Sequence, residues 1–267
     1  MRVLTPLPFF SLGSKEESFL LKSGEHIEPL GKNVSVIVNE LHHFSTDTVL
    51  LADFACKAKA KSAVDLGSGC GTIALLWSKT DLIGHIDAVE IQHDAADMIR
   101  RSIEYNRLEN RISAVNCDMK QLRGVLPFGS YDLAACNPPY KLGGSGVLNP
   151  DPSKTAARHE TFCTVDDVTE TASRLLQFGG RFCICQRPER LTDVLLSMRK
   201  NSIEPKRLRF VQQRLGKEPK LFLAEGRKGG KPGFMKVEKT LFIENESGRF
   251  SDEMLEIYGD YKQKGFF

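Results

Sequence analysis

Ala63-Val64-Asp65-Leu66-Gly67-Ser68-Gly69-Cys70-Gly71 runs from an apolar stretch straight into three glycines at alternate positions. The apolar run reads as a buried strand, and residues 72–78 resume with helical spacing, so the glycines form the turn between them. Without a Cβ, such a turn can be tight and can let a ligand approach the backbone. About twenty residues on, Glu90 ends the next predicted strand, where a carboxylate can accept hydrogen bonds from ribose hydroxyls. Asp118 stands just past the third strand, placed to accept from an adenine amino group. Strand, glycine turn, helix and acid at this spacing predict a nucleotide site.

Outward from this turn, short apolar runs alternate with amphipathic helices. Strands are predicted at 63–66, 86–90, 112–115, 132–136 and 181–185, and helices at 72–78, 93–106 and 164–177, the last closed by Gly179-Gly180. That alternation predicts an α/β fold with a mostly parallel, doubly wound sheet. Upstream, 46–60 reads as a helix with Val49, Leu50, Ala52, Phe54 and Ala55 on its apolar face and Ser45 or Thr46 as N-cap. A strand at 34–38 precedes it. A loop rich in Gly, Pro and Ser spans 141–162. Downstream, 208–215, 220–225 and 237–243 read as antiparallel strands finishing one edge of the sheet, with a basic hairpin loop at 226–233. The expected organisation is an N-terminal extension (1–45), a main domain (46–245) and a tail (246–267) with a short helix near 253–258.

The chain has 267 residues, 41% hydrophobic and 27% charged, a globular composition that excludes disordered, collagen-like and disulfide-scaffold classes. No run approaches a membrane span, and the apolar patch near Leu4 is broken by Pro6 and Pro8, unlike a signal peptide. The seven cysteines are scattered and read as buried, reduced thiols, so a cytoplasmic protein is expected. His42, His43 and His159 lack a third partner at metal-ligand spacing, and no metal is expected. Net charge is only +3, yet residues 206–239 hold eleven Lys and Arg against three Glu, a local +8.

Asn137-Pro138-Pro139-Tyr140 follows the strand at 132–136, at the carboxyl edge where open α/β sheets bind ligands. An exocyclic amine is a poor nucleophile because its lone pair is delocalised into the ring. Two acceptors taking its two hydrogens would localise that pair. The Asn137 side-chain oxygen and the Pro138 carbonyl suit this role. Two prolines stiffen the loop, and the Tyr140 ring offers a stacking face for a base turned out of its helix.

The glycine turn departs from the dinucleotide pattern, since its third glycine comes one residue early and an acid, Asp65, leads it. It resembles motif I of the Rossmann-like class I methyltransferases that use S-adenosylmethionine. That resemblance implies that Asp65, Gly67, Ser68, Gly69 and Gly71 hold the methionine moiety. It places Glu90 and Ile91 at the ribose, Asp118 and Met119 at the adenine, and Asn137 beside the cofactor. The tetrapeptide resembles the motif of amino-methyltransferases, whose implied reaction is direct methyl transfer to nitrogen.

Three further segments narrow the resemblance: residues 44–54, Ala157-Arg158-His159-Glu160, and residues 225–233. From about residue 24 to 258 the sequence is similar to the bacterial tRNA(Val) adenine-37 N6-methyltransferase family. Thr46 and Asp47 are then implied to flank the cofactor, and Asn39 stands where a glutamine is expected. A tRNA is the implied partner, with Lys141, Arg158, Arg227, Lys228 and Lys231 as phosphate contacts, helped by Lys154; no DNA or membrane partner is expected.

The alternative substrate is a glutamine amide of a release factor, or another RNA. The short segment before the glycine turn counts against the former, which goes with a helical N-terminal domain. A DNA adenine methyltransferase would need a target-recognition insertion. A non-catalytic binding module would not need Asn137 to Tyr140. A nicotinamide oxidoreductase is disfavoured by the glycine spacing and Asp65.

Overall fold

The computed structural model describes residues 21–138 and 163–261. Strands β1 (His26–Gly31) and β2 (Val34–Val38) form an antiparallel hairpin, followed by helix α1 (Thr46–Ala55). The alternating region then runs β3 (Ala60–Leu66), α2 (Thr72–Ser78), β4 (Ile83–Glu90), α3 (His93–Tyr105), β5 (Ile112–Asn116), β6 (Tyr131–Cys136), α4 (Val165–Leu175), β7 (Leu176–Gln186) and α5 (Leu191–Lys200). Strands β8 (Ile203–Gln212), β9 (Pro219–Lys228), β10 (Lys236–Val237) and β11 (Leu241–Phe242) and helix α6 (Asp252–Tyr258) complete it. The main sheet has the order β10-β8-β9-β7-β6-β3-β4-β5, with β11 also on β8. Strands β3 to β7 are mutually parallel, and β9 is antiparallel to both β7 and β8.

The buried strands show the period of two that a sheet covered on both faces requires. Ala63, Ile86, Ala88, Leu133, Ala135, Cys183 and Cys185 face one apolar cluster, which α1, α2 and α3 supply from above. Their neighbours Val64, Leu66, Val89, Ala134, Cys136, Phe182 and Ile184 face the other, filled by Val168, Ala172 and Leu175 of α4 and Val194 and Met198 of α5. The first cluster also takes in Leu30, Val36 and Val38 from the N-terminal hairpin and Met254 and Tyr258 from α6. Both ends of the described chain therefore share the core of the central domain. Tyr258 Oη lies 3.0 Å from Thr46 Oγ1, and Phe250 and Tyr261 stack on or tilt against its ring.

The C-terminal third differs from the sequence-based expectation. The stretch expected as one antiparallel strand at 237–243 is two short pieces, each parallel to β8. Because β8 separates β9 from β10, the basic loop is a crossing and not a hairpin. The true hairpin joins β8 to β9 through residues 213–218. Helix α4 ends at Leu175, and the glycines expected to close it lie inside β7. There the pairing with β6 shifts, from Tyr131 opposite Leu176 to Leu133 opposite Arg181. A Cβ on Gly180 would stand 2.9 Å from the Tyr131 carbonyl oxygen, so only glycine fits that bulge. Helix α5 and strand β1 had no counterpart in the sequence reading.

Arg181 and Arg207 terminate α1 from below. Arg181 donates to the carbonyls of Ala55 and Ala58, at 3.0 and 3.1 Å, and Arg207 donates to Phe54 O while its guanidinium lies 4.0 Å from the Phe54 ring centre. Both guanidiniums meet the buried Glu225 carboxylate, Arg207 at 2.9 Å and Arg181 at 3.4 Å. Two cations thus satisfy the otherwise unpaired carbonyls at a helix C-terminus.

Candidate active site

Register places the expected site residues along one edge. Leu66 pairs with Val89 and with Cys136, and Glu90 pairs with Asn116, so the chain leaves β3, β4, β5 and β6 at a common level. The glycine turn, Ile91, Asp118 and Asn137 follow directly from those four ends.

The turn is tied down by its neighbours. The amides of Gly67 and Ser68 both donate to Val89 O at 2.9 Å, and Gly69 N–H donates to Glu90 Oε2 at 2.8 Å. Gly67, Gly69 and Gly71 have φ of 70°, 57° and 87°, conformations that glycine adopts without a steric penalty. At Gly71 the constraint is double, since a Cβ would lie 3.1 Å from Ile99.

Asp65 is fully buried and accepts a hydrogen bond from Ser68 Oγ. Its other oxygen, Oδ1, is buried with no hydrogen-bond partner among the described residues. Burial pushes the carboxyl up to about 7, with the Ser68 hydroxyl opposing and the Glu90 charge adding to the rise. A buried carboxylate oxygen without a donor is complementary to a ligand that brings a cationic amine.

Glu90 accepts from the amides of both Gly69 and Gln92, each carboxylate oxygen taking one. A carboxylate oxygen accepts more than one donor, so ribose hydroxyls can still be received there. Ile91, beside it, is an exposed apolar side chain. Asp118 caps a short 3-10 turn by accepting from Lys120 N at 2.9 Å, and Met119, within that turn, receives a contact from Cys163 Sγ at 3.4 Å.

Asn137 is held from an unexpected direction. Its Nδ2 donates to Thr48 Oγ1 at 3.1 Å, across from the first turn of α1. With the amide nitrogen donating to Thr48, the amide oxygen is the atom of this side chain that can accept. Of the two residues expected from this segment to flank the cofactor, Thr46 and Asp47, Thr46 meets Tyr258. The signal for Thr48 is its place within residues 44–54, but nothing local distinguishes it from its neighbours. Asn39 has a local explanation: its side-chain oxygen accepts from the amides of Leu41 and His42, turning the chain between β2 and α1.

Of the expected phosphate contacts, Arg227, Lys228 and Lys231 do not lie at this edge. Cys136 is level with Ile184, and Ile184 with Ala224, so Arg227 and Lys228 lie about 10–13 Å toward the opposite edge. Lys228 Nζ donates to Ser173 Oγ, and Lys206 Nζ donates to the carbonyl oxygens of Lys231 and Gly233. Pro139, Tyr140, Lys141, Lys154, Arg158 and His159 lie outside the described residues. Among the described residues no three His, Cys, Asp or Glu side chains come together as a metal site. No described helix is long and apolar enough to cross a membrane.

The methyltransferase small domain model matches residues 42–201, from the turn before α1 to the end of α5. The chain belongs to this methyltransferase family. Its match takes in the glycine turn, Glu90, Asp118, Thr48 and Asn137. Relatives include tRNA1(Val) (adenine(37)-N6)-methyltransferases. That of Porphyromonas gingivalis is 29% identical over 223 residues, covering 79% of this chain and 85% of the relative. That of Parabacteroides distasonis is 27% identical, covering 82% and 90%. Among solved structures, a protein of Agrobacterium tumefaciens described as a predicted O-methyltransferase superposes with a TM-score of 0.63 at 19% identity, covering 81% of this chain and 97% of its own. TYW2 of M. jannaschii, crystallised with AdoMet, gives 0.54 at 12% identity, covering 77% and 86%. These two likenesses confirm the class I methyltransferase fold.

Proposed function

We propose that this methyltransferase uses S-adenosylmethionine to methylate the N6 amine of adenine in tRNA, at position 37 of tRNA1(Val). The observation that carries the reading is the Thr48–Asn137 hydrogen bond at the end of β6, which fixes the Asn137 amide at the edge that also bears the glycine turn. The names of the relatives supply the substrate.

Asp65 and the glycine turn would hold the amino acid end of the cofactor, Glu90 and Ile91 the ribose, and Asp118 and Met119 the adenine. The cofactor, when bound, supplies a methyl group on a sulfonium, a good leaving group. Asn137 Oδ1 and the Pro138 carbonyl accept the two N6 hydrogens, which pulls the nitrogen toward a tetrahedral shape and localises its lone pair. As the N–C bond forms and the C–S bond breaks, nitrogen becomes cationic and sheds one of those protons to solvent. Stacking of the flipped base on Tyr140 belongs to the same proposal.

The test is methyl transfer from labelled S-adenosylmethionine to unmodified bulk tRNA, digested to nucleosides, with Asn137→Ala as control. N6-methyladenosine formed by the wild type and lost in the variant supports the reading. Label entering a release factor but not tRNA would replace it with a protein glutamine methyltransferase.

A further inference from the structure

The basic block at residues 206–239 is divided by the fold among three places. Arg207 and Arg209 are neutralised by Glu225, Glu238 and Glu253. Arg227, Lys228 and Lys231 stand at the edge away from Asn137. Arg214, Lys217 and Lys220 belong to the β8–β9 hairpin, whose position follows from register. Ala224 is level with Cys136, and Pro219 pairs with Gln212, five residues further toward the Asn137 side. At about 3.3 Å per residue the hairpin rises roughly 16 Å above the level where β6 ends, and β9 is two strands from β6, roughly 10 Å to the side. It is a wall standing beside the mouth of the site.

The base of this wall is braced. Arg187, which follows β7, donates to Lys220 O at 3.2 Å, and on the other side the amides of Ile243 and Glu244 donate to Gln212 O and Gln213 O at 2.9 and 2.8 Å. The tip is a turn closed by Lys217 N–H on Arg214 O, with Gly216 at a φ of 79°. Arg214 and Lys217 are exposed there and form no ion pair among the described residues, and Leu215 between them is 76% exposed. Glu218 is the acidic residue of the tip, so the hairpin from 213 to 220 carries three cations against one anion.

We infer that the β8–β9 hairpin, through Arg214 and Lys217, is the phosphate clamp that grips the RNA flanking the target nucleotide. This rests on the RNA reading above. A nucleotide drawn out toward Asn137 leaves its strand running across the carboxyl edge of the sheet, past a wall about 10 Å to the side whose cations stand roughly 16 Å or more above the end of β6. A rigid base with cations at a free tip suits phosphates, whose spacing varies little with sequence. The turn at residues 229–233 faces the other edge and can reach only a distant part of a large RNA.

The test measures tRNA affinity directly, by fluorescence anisotropy of labelled tRNA over a range of salt. Arg214→Glu/Lys217→Glu is compared with the wild type and with Arg227→Glu/Lys231→Glu. The hairpin variant is expected to bind at least about tenfold more weakly, with a log–log salt slope lower by about 2. S-adenosylhomocysteine binding on the same variant reports whether the fold is intact. An unchanged affinity or slope, or a larger loss in the Arg227 and Lys231 variant, overturns the inference. Wild type that binds no tRNA overturns both readings. Wild type that binds tRNA through the hairpin but transfers no methyl overturns only the proposed reaction.

Discussion

Asn137 Nδ2 donates to Thr48 Oγ1 across 3.1 Å, joining the end of β6 to the first turn of α1 over 89 residues of sequence. In the proposed reaction this contact orients the amide that meets the substrate. Thr48→Val keeps the shape and removes the acceptor. It is expected to lower kcat about tenfold or more, because a misaimed catalytic group loses rate steeply, while cofactor affinity changes little. Thr48→Ser should recover most of the loss. Steady-state kinetics with separate kcat and KM check this, and equal loss in the Val and Ser variants would reduce Thr48 to a packing residue.

Asp65 should make the ligand-free protein sensitive to pH. Burial raises its carboxyl to about 7 from a usual value near 4. The folded protein therefore holds a proton that the unfolded chain has released, so this residue's contribution to stability declines as pH rises from about 4 to about 7. Asp65→Asn is expected to flatten that decline and raise Tm at pH 7.5. It should also abolish stabilisation by S-adenosylhomocysteine, whose amine wants the ionised form. Thermal melts across pH, with and without that ligand, measure both effects.

The Arg181–Glu225–Arg207 group should be costly to break. Arg181→Ala removes the donor to Ala55 O and Ala58 O and leaves the buried Glu225 with one cation instead of two. A loss of about 3–5 kcal/mol in urea unfolding is expected. A loss near that of an exposed ion pair, about 1 kcal/mol or less, would mean that Arg207 alone suffices.

Tyr258→Phe deletes the hydroxyl that meets Thr46 and keeps the ring in its aromatic cluster. A stability loss of about 1 kcal/mol is expected. A fall in kcat should accompany it if the start of α1 loosens, since Thr48 lies on that turn. Unfolding and turnover measured on one preparation separate the two effects.

The alternating core was legible because its strands are covered on both faces and its helices carry regular apolar stripes; α2 matches its expected range of 72–78. The residues proposed to hold the cofactor share one edge for a related reason: a strand end, a glycine turn and an acid are adjacent in sequence or separated by one βαβ unit. Helix α5 was missed because only Val194, Ser197 and Met198 of its ten residues are buried, a stripe too narrow to stand out. The direction of β10 and β11 is set by β8 and by nothing in their own two residues. Thr48, likewise, acquires its partner only when β6 is laid beside the first turn of α1. The basic loop misled for another reason: charge density in sequence does not record which end of a strand the loop follows.

Helix α6 and Tyr261 close over Phe44 and Thr46, the approach to α1. During synthesis the glycine turn and its strands leave the ribosome long before those residues do. The residues proposed to hold the cofactor are then all present, while α1, which meets Asn137 through Thr48, still lacks its outer support. A chain ending before α6 is therefore expected to lose methyl transfer sooner than cofactor binding. The bracing of α1 therefore comes after every strand of the parallel core has been made.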